Sequence, residues 1–221
     1  MKARELMRRA FAEALGTTFL LIAVVGSGIM GARLSGGNDG IALLANSLAT
    51  GGALIALIGA LGPISGAHFN PAVTLFELAG KRVAWQAALA YIPAQIAGAM
   101  LGVVVAHAMF ELPLLQASHH ARDTTGEFIG EIVATLGLLL TIWGTARANP
   151  GAVPAAVAAY ITGAYWFTSS TSFANPAVTI ARSFTDTFAG IAPASMPAFV
   201  AAQFAGVALA IAAIAIIGKD R

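Results

Sequence analysis

SGAHFNPAVT, residues 65–74 of the chain, ends in a pentapeptide, Asn70–Thr74, that recurs at Asn175–Thr179. Each copy opens a short apolar segment, and proline is favoured at the first position of a helix because its missing N–H would be unpaired there. The asparagine before it can cap the same helix. We therefore predict two half-helices that begin inside a membrane. Irregular backbone at that depth is tolerated only where it is buried in protein or lines a wet cavity, so the duplication predicts a pore or transport site near the midplane.

The composition independently indicates a membrane protein. Of the 221 residues, 58% are hydrophobic and 10% charged, with a mean hydropathy of +0.80. A soluble domain carries about 25% charged residues. The Asn-Pro segments, about 70–79 and 175–186, are too short to cross a bilayer, which takes roughly 20 residues. Longer apolar stretches predict an all-α membrane protein with six transmembrane helices and two re-entrant half-helices. The six predicted spans lie near residues 11–32, 41–60, 84–108, 126–146, 152–169 and 198–218.

The distribution of lysine and arginine predicts the orientation. With both termini in the cytoplasm, nine of the twelve basic residues lie inside, as the positive-inside rule requires. The inner set is Lys2, Arg4, Arg8, Arg9, Lys81, Arg82, Arg147, Lys219 and Arg221, and the outer set is Arg33, Arg122 and Arg182. The formal charge of +2 and the pI near 9.3 then reflect membrane anchoring, and no nucleic-acid partner is expected.

The first apolar run resembles a signal peptide, but it is long. It follows Arg8 and Arg9, contains Glu13, and is needed as a span by the charge pattern, so we expect an uncleaved first helix. The lack of cysteine excludes disulfides and thiolate metal sites. Short loops, without an appended domain or an organelle-targeting segment, favour the inner (plasma) membrane of a bacterium.

The two halves of the chain share more than the pentapeptide. The pattern E-x-x-x-T begins at Glu13 and at Glu131, and A-Q-x-A-G occurs at 94–98 and at 202–206. Three full spans in each half is an odd number, so the second half must be inverted in the membrane, and such repeats place their sites at the repeat interface. We predict a single transmembrane channel domain, 1–221, with inverted repeats at about 1–110 and 120–221.

Several isolated polar residues allow two interpretations. Glu13 and Glu131 could relay protons, since an intramembrane carboxylate marks a functional site. Their occurrence as twins instead favours support of the backbone donors in the broken loops. His68 either lines the inner vestibule or packs as a satisfied histidine. His119 and His120 resemble a metal pair, yet adjacent histidines between spans are usually exposed, so we expect no metal or other cofactor.

Together, residues 65–74, the second Asn-Pro-Ala, the paired glutamates and the Gln-x-x-Gly spans resemble the aquaporin, or major intrinsic protein, superfamily. The resemblance covers nearly the whole chain. It implies a homotetramer with one pore in each subunit. The implied pore motifs are Asn70, Pro71 and Ala72, and Asn175, Pro176 and Ala177.

The residues themselves favour a channel mechanism. Asn70 and Asn175 would donate amide hydrogens to a solute oxygen at the midplane, and loop carbonyls near 66–68 would accept hydrogen bonds. Each helix N-terminus contributes roughly half a positive charge, and the combined field opposes cations and protons. Nothing in the sequence resembles a nucleophile, a metal cluster or a phosphate loop. We therefore expect no enzymatic activity, and the expected partners are water, small neutral solutes and the lipid bilayer.

The sequence departs from the family pattern directly after the second Asn-Pro-Ala, where the family usually has arginine and this chain has Val178. The other constriction positions, carried over by their spacing from the two asparagines, are Thr50, Gly163 and Ser172. These side chains are small, so we expect a wide selectivity filter without arginine. Hydroxyl groups both donate and accept hydrogen bonds, which suits trihydroxyarsenic, glycerol or boric acid. A bacterial branch of the family associated with arsenic resistance also lacks the arginine, so this resemblance makes arsenic oxyacids or methylated arsenicals the favoured cargo.

Arg182 again has two interpretations. It lies one turn beyond Val178 on the same helical face, so it either places a positive charge at the outer vestibule or forms a surface pair with Asp186. Three alternatives to an arsenical channel also stay open: a general water and glycerol facilitator, a secondary transporter and a non-conducting structural protein. Solute flux that persists without an ion gradient would favour the channel.

Overall fold

The computed structural model describes residues 2–218, and every regular element in that range is helical. The helices are α1 Ala3–Leu34, α2 Asp39–Ser65, α3 Pro71–Ala79, α4 Trp85–Met109, α5 Thr125–Ala148, α6 Val153–Phe167, α7 Pro176–Arg182 and α8 Met196–Ile217. This confirms the predicted all-α fold with six long and two short helices. Lys219 and Arg221 of the predicted inner charge set lie outside the described residues.

Five of the six predicted spans are helices long and apolar enough to cross a membrane, namely α1, α2, α4, α5 and α8. The sixth differs, because α6 has 15 residues and follows a separate 3₁₀ turn at Pro150–Ala152. At 1.5 Å per residue α6 is about 22 Å long, and the turn adds about 6 Å. The predicted span over 152–169 therefore corresponds to α6, which begins at Val153, and with the preceding turn it reaches close to the roughly 30 Å of a hydrocarbon core.

The helices pack as two halves, and each short helix contacts long helices of both halves. In the first half α1 packs against α2 and α4, and in the second α5 packs against α6 and α8. The contact between α2 and α6 joins the halves, while α3 reaches α8 and α7 reaches α4. The half-helices thus lie between the long helices of both repeats. This places Asn70 and Asn175, which begin them, near the centre of the molecule.

Glycine allows the closest helix pairs in each half. A Cβ at Gly98 of α4 would collide with the Ala14 carbonyl of α1, and one at Gly206 of α8 would lie 2.9 Å from the Ile132 carbonyl of α5. Small residues let helix backbones approach in this way inside a membrane. The two glycines follow Gln95 and Gln203 by three residues, so close approach also brings each glutamine to the facing helix.

Candidate pore

A cavity of about 740 Å³ extends between the two repeats. Asn70 and Asn175 line its middle, Arg9 and Arg147 line one end, and Arg182 lines the other. We call the end of the cavity with Arg9 and Arg147 the inner end and the end with Arg182 the outer end. Both half-helices present the first, fourth and eighth positions counted from the asparagine, which share one helical face. These positions are Asn70, Val73 and Glu77 in the inner half, and Asn175, Val178 and Arg182 in the outer half.

Asn70 both caps α3 and ties the two loops together. Its Oδ1 accepts a hydrogen bond from the backbone N–H of Ala72 at 2.8 Å, and its Nδ2 donates to the Ala174 carbonyl at 2.7 Å. The cap satisfies one of the free N–H groups that every helix start leaves. An amide Nδ2 carries two hydrogens, so the second is available to the cavity that Asn70 lines.

Asn175 repeats this arrangement on the outer side. Its Oδ1 accepts from the backbone N–H groups of Ala177 and Val178 at 3.0 and 3.3 Å, and its Nδ2 donates to the Phe69 carbonyl at 2.8 Å. Pro71 and Pro176 each occupy the first helical position after these caps. The two asparagines are therefore fixed by reciprocal bonds across the repeat interface, and each retains one amide hydrogen for a solute.

The loops before the asparagines run in a backbone conformation that side chains rarely adopt. Ala67 and Phe69 have φ of 51° and 50°, and Ser172 and Ala174 have φ of 52° and 47°. Left-handed residues other than glycine store roughly 1–3 kcal/mol each and cluster at functional sites. The loops are held in this form by the buried glutamates of α1 and α5.

Glu13 is the support of the inner loop. Its carboxylate accepts hydrogen bonds from the backbone N–H of His68 at 3.0 Å and of Phe69 at 2.6 Å. It also accepts from Ser65 Oγ at 2.6 Å and from Gln95 Nε2 at 2.8 Å. Glu13 is fully buried, and bonds to an ionised carboxylate are about twice as strong as neutral ones. Both oxygens are engaged in holding the loop, which leaves neither poised for proton transfer along the cavity.

Glu131 supports the outer loop in the same way. It accepts from the backbone N–H groups of Phe173 and Ala174, each at 2.8 Å, and from Gln203 Nε2 at 2.6 Å. It is also fully buried. The repeated E-x-x-x-T and Gln-x-x-Gly patterns therefore encode one scaffold built twice, a carboxylate that collects the backbone donors of a broken loop.

His68 lines the cavity and is also packed, so the structure joins the two interpretations that the sequence left open. Its Nδ1 lies 3.1 Å from Thr74 Oγ1. That hydroxyl donates to the Asn70 carbonyl and accepts from Gln95 Nε2, so the network places a proton on Nδ1 of His68, and in the neutral ring Nε2 is the accepting nitrogen. The ring edge also meets Tyr91 at 5.4 Å between centroids. His68 Nε2 is then a hydrogen-bond acceptor at the inner part of the cavity.

Three of the four predicted filter residues line the cavity, and Gly163 does not. Thr50, Ser172 and Val178 are 3%, 3% and 5% exposed. The place expected for Gly163 is taken by Tyr165, whose hydroxyl lies 3.2 Å from Thr50 Oγ1. Placement by spacing alone was wrong for α6 because two residues turn a helix by about 200°.

Arg182 is buried at the outer end of the cavity. It is 2% exposed, its Nε donates to the Ala189 carbonyl, and its guanidinium carbon lies 3.4 Å from the centre of the Phe173 ring. The alternative surface pair with Asp186 is wrong, because Asp186 instead bonds His119 Nδ1 at 2.8 Å. We expected a filter without arginine, and beside Val178 there is none. The guanidinium of Arg182, however, lines the same cavity one helical turn away.

The outer loop accounts for the adjacent histidines. His119 and His120 are exposed, with 87% and 51% of their side-chain surface accessible, and both face Asp186. The backbone N–H and the ring of His119 hydrogen-bond to Asp186 and hold the pKa of this carboxyl below its usual value. Within residues 2–218 no group of three metal-ligating side chains is placed to hold an ion.

Tyr165 and Phe173 line the cavity but were not predicted from the sequence. Tyr165 could have been found from the face that α6 turns to the cavity, which carries Val157, Ile161 and Tyr165 at intervals of four residues. Phe173 could have been found by aligning the two copies, since it stands where the first copy has His68. Both signals depend on knowing which face of an element lines the cavity.

Comparisons with known proteins agree with this geometry. Residues 1–170 match the family described as Major intrinsic protein. Aquaglyceroporin AqpS of Rhizobium meliloti is 52% identical over 212 residues, which are 96% of this chain and 91% of that protein. Aquaporin Z of Bradyrhizobium diazoefficiens is 32% identical over 166 residues, 68% of each protein.

A solved structure shares the fold. The X-ray structure of the aquaglyceroporin from Plasmodium falciparum superposes with a TM-score of 0.77 and covers 97% of both chains at 20% sequence identity. At that identity the likeness concerns the fold alone. The capped half-helices, the twin glutamate supports and the extent of the family match lead to one conclusion: this chain belongs to the major intrinsic protein family.

Proposed function

We propose that the protein is a passive channel for small neutral solutes. The observation that carries this proposal is the pair of asparagines, each fixed by a bond to the opposite loop and each lining one cavity with an amide hydrogen to spare. A solute oxygen that passes between the two asparagines exchanges its hydrogen bonds with water for hydrogen bonds with their amide groups, and no conformational change is needed. The positive ends of the two half-helices oppose cations and protons at the same level.

The wall of the outer half supports a solute larger than water. Val178 places an apolar side chain where the family pattern has arginine, and Thr50, Tyr165 and Ser172 add hydroxyl groups. A neutral molecule with several hydroxyls can donate and accept along such a wall. We favour arsenic oxyacids or methylated arsenicals as the cargo, with glycerol and water also conducted. The names of similar proteins, an aquaglyceroporin and a glycerol uptake facilitator, support the solute class.

A coupled transporter is less consistent with the buried carboxylates. Such a transporter would need an ion site near the midplane. Glu13 and Glu131 are the acidic residues behind the two loops, and both are fully engaged by the loop donors and a glutamine. Within residues 2–218, the acidic residue that lines the cavity is Glu77, and it is paired with Arg82.

The assembly and the orientation follow from the same proposal. The cavity is lined along its length by residues of a single chain, which supports one pore in each subunit of a homotetramer. Large apolar side chains such as Phe11, Phe19 and Leu89 are exposed on the outside of the helices, where lipid or neighbouring subunits would cover them. We place both termini on the cytoplasmic side of a bacterial inner membrane, because Arg9, Arg82 and Arg147 line one end of the cavity.

The test is a swelling assay in proteoliposomes without any ion gradient, run with water, glycerol and trivalent or methylated arsenicals. We expect flux of all these solutes. Val178→Trp, which fills the cavity, should abolish it, while Leu209→Trp puts the same side chain on an exposed face and should leave it unchanged. Flux that requires an ion gradient would favour a transporter, and no flux at all would favour a structural protein.

A further inference from the structure

The surrounding residues that the structure describes fix the guanidinium of Arg182 in position but provide no counter-ion for its positive charge. Its Nε donates to the Ala189 carbonyl, and its guanidinium stacks on Phe173. Among residues 2–218 it forms no ion pair, and its two terminal nitrogens have no hydrogen-bond acceptor. Buried donors in native proteins are almost always satisfied by protein or by water. The terminal nitrogens of Arg182 therefore require a partner from the cavity.

Several local contacts fix the position of the Arg182 guanidinium. The face of an aromatic ring attracts a cation, and the C-terminal end of α7, where Arg182 is the last residue, carries a partial negative charge. Arg122 lies against the same ring, with its guanidinium carbon 5.1 Å from the centre of Phe173, and bonds to the carbonyls of Gly190 and Ser170. The ring on which Arg182 stacks is thus also contacted by Arg122, which is itself anchored by two carbonyls.

Other polar groups share this part of the wall. Tyr165 and Thr50 contact each other through their hydroxyls. Ser172 also lines the cavity, and its buried Oγ has no hydrogen-bond partner among the described residues. A guanidinium with free donors therefore lines the same cavity as these hydroxyl groups, one turn beyond the apolar Val178.

In the family pattern, an arginine directly after the second Asn-Pro-Ala supplies a positive charge and hydrogen-bond donors. We propose that Arg182 supplies both in this chain, from one helical turn further out. It forms an outer subsite for the oxygen atoms of neutral polyhydroxylated solutes and repels cations there. The level beside Val178 then stays wide and apolar. Charge exclusion and solute size are set by different residues in this chain, and this inference rests on the proposed channel function.

The test compares Arg182→Gln and Arg182→Lys with Arg33→Gln, which removes an exposed arginine of the outer side that does not line the cavity. We expect Arg182→Gln to lower glycerol permeability about tenfold, the value of one lost charge-assisted hydrogen bond, while water flux is retained. The same variant should show a higher K⁺ current than the wild type in planar bilayers, because only the field of the two half-helices then opposes cations. Arg182→Lys should keep K⁺ excluded but lower glycerol permeability, because lysine lacks the planar fork of donors.

Each outcome decides between the two proposals. A wild-type protein without solute flux would contradict the channel function itself. If the wild type conducts, and an assembled Arg182→Gln variant matches Arg33→Gln in glycerol permeability and K⁺ exclusion, the channel stands and the role of Arg182 is wrong. Should the glutamine variant fail to assemble by gel filtration, the lysine variant decides, since a K⁺ current or an unchanged glycerol permeability in it would overturn the inference.

Discussion

The inner and outer halves of the cavity are built on one scaffold and differ in the side chains that it carries. In each half a buried glutamate, a loop with left-handed residues and a capping asparagine occur in the same order. The equivalent positions differ at His68 and Phe173, and at Glu77 and Arg182. The inner half thus presents an imidazole acceptor, whereas the outer half presents an aromatic platform with a cation on it.

Glu77 and Arg182 occupy equivalent positions in the two halves, but only Glu77 has a counter-ion among the described residues. Glu77 is neutralised by Arg82, with two bonds of 2.6 and 3.0 Å, and Arg82 in turn lies 5.0 Å from the centre of the Phe76 ring. Arg182 has no such counter-ion among the described residues. Equivalent positions of an inverted repeat therefore give a paired charge at one mouth and a free one at the other. The scaffold is symmetric, and the unpaired charge lies in the outer half, where we propose that selectivity is set.

The largest effect should come from breaking the shared scaffold. In Glu13→Gln or Glu131→Gln an amide nitrogen faces loop N–H donors, and each buried donor left unsatisfied costs about 1–3 kcal/mol. We expect a large and similar fall in thermal stability in detergent for both variants. Glu127→Gln in the exposed cap of α5 is the matched control and should change stability little. A loss confined to one of the two buried glutamates would show that the halves are not equivalently supported.

A second prediction concerns the outer wall. Val178→Arg restores the usual residue of the family pattern and should suppress glycerol and arsenical flux by about tenfold or more, which corresponds to about 1.4 kcal/mol of added barrier. Water flux should persist. Val178→Met, of similar length without charge or donors, separates the effect of the guanidinium from that of bulk in the same swelling assay. Unchanged permeability to the larger solutes in Val178→Arg would contradict the wide filter.

A smaller effect should follow from making the inner loop resemble the outer one. His68→Phe removes the Nε2 acceptor and should lower glycerol permeability about threefold, as expected for one neutral hydrogen bond. Tyr91→Phe removes a bond to the Ser65 carbonyl without changing the acceptors of the cavity wall, so it controls for packing. If His68→Phe matches the wild type, the imidazole only packs, and the functional contrast between the halves narrows to Arg182.

The smallest effect is a pH dependence of the outer loop. Asp186 has a pKa below the usual value of about 3.9 because His119 bonds it. Its contribution to loop stability is therefore complete above that value and is lost as the pH falls through the lowered pKa. Hydrogen-exchange protection factors near 116–120, corrected for the intrinsic exchange rate at each pH, should be lower at pH 3 than at pH 6 in the wild type. In Asp186→Asn they should be low at both, and a wild-type loop equally protected at both would contradict this role.

Much of the architecture could be predicted from residues whose effect is local. Asn-Pro at 70 and 175 encodes a capped helix start, and the long apolar runs encode spans, because both depend on chemistry within a few residues. The 3₁₀ turn at Pro150–Ala152, just before the sixth span, was not predicted, since hydropathy alone does not register the helix boundary set by proline.

The candidate site was less predictable, because it depends on rotation and on distant contacts. Gly163 and Tyr165 are two residues apart, and only the packing of α6 against α2 and α5 decides which of them faces the cavity. Arg182 and Asp186 have the right spacing for a pair on a continuous helix, but α7 ends at Arg182. Asp186 then lies in the following loop, where it meets His119.

By itself the sequence determined the family, the two half-helices and the twin glutamate supports, because these repeat as short patterns with their own capping and burial chemistry. It also showed that Val178 replaces an arginine. Only the tertiary structure decided that Arg182 returns a guanidinium to the same cavity and that Phe173 and Ala189 hold it there. The physical reason is that a buried charge is positioned by a ring face and a carbonyl from separate segments, and no local pattern specifies that meeting.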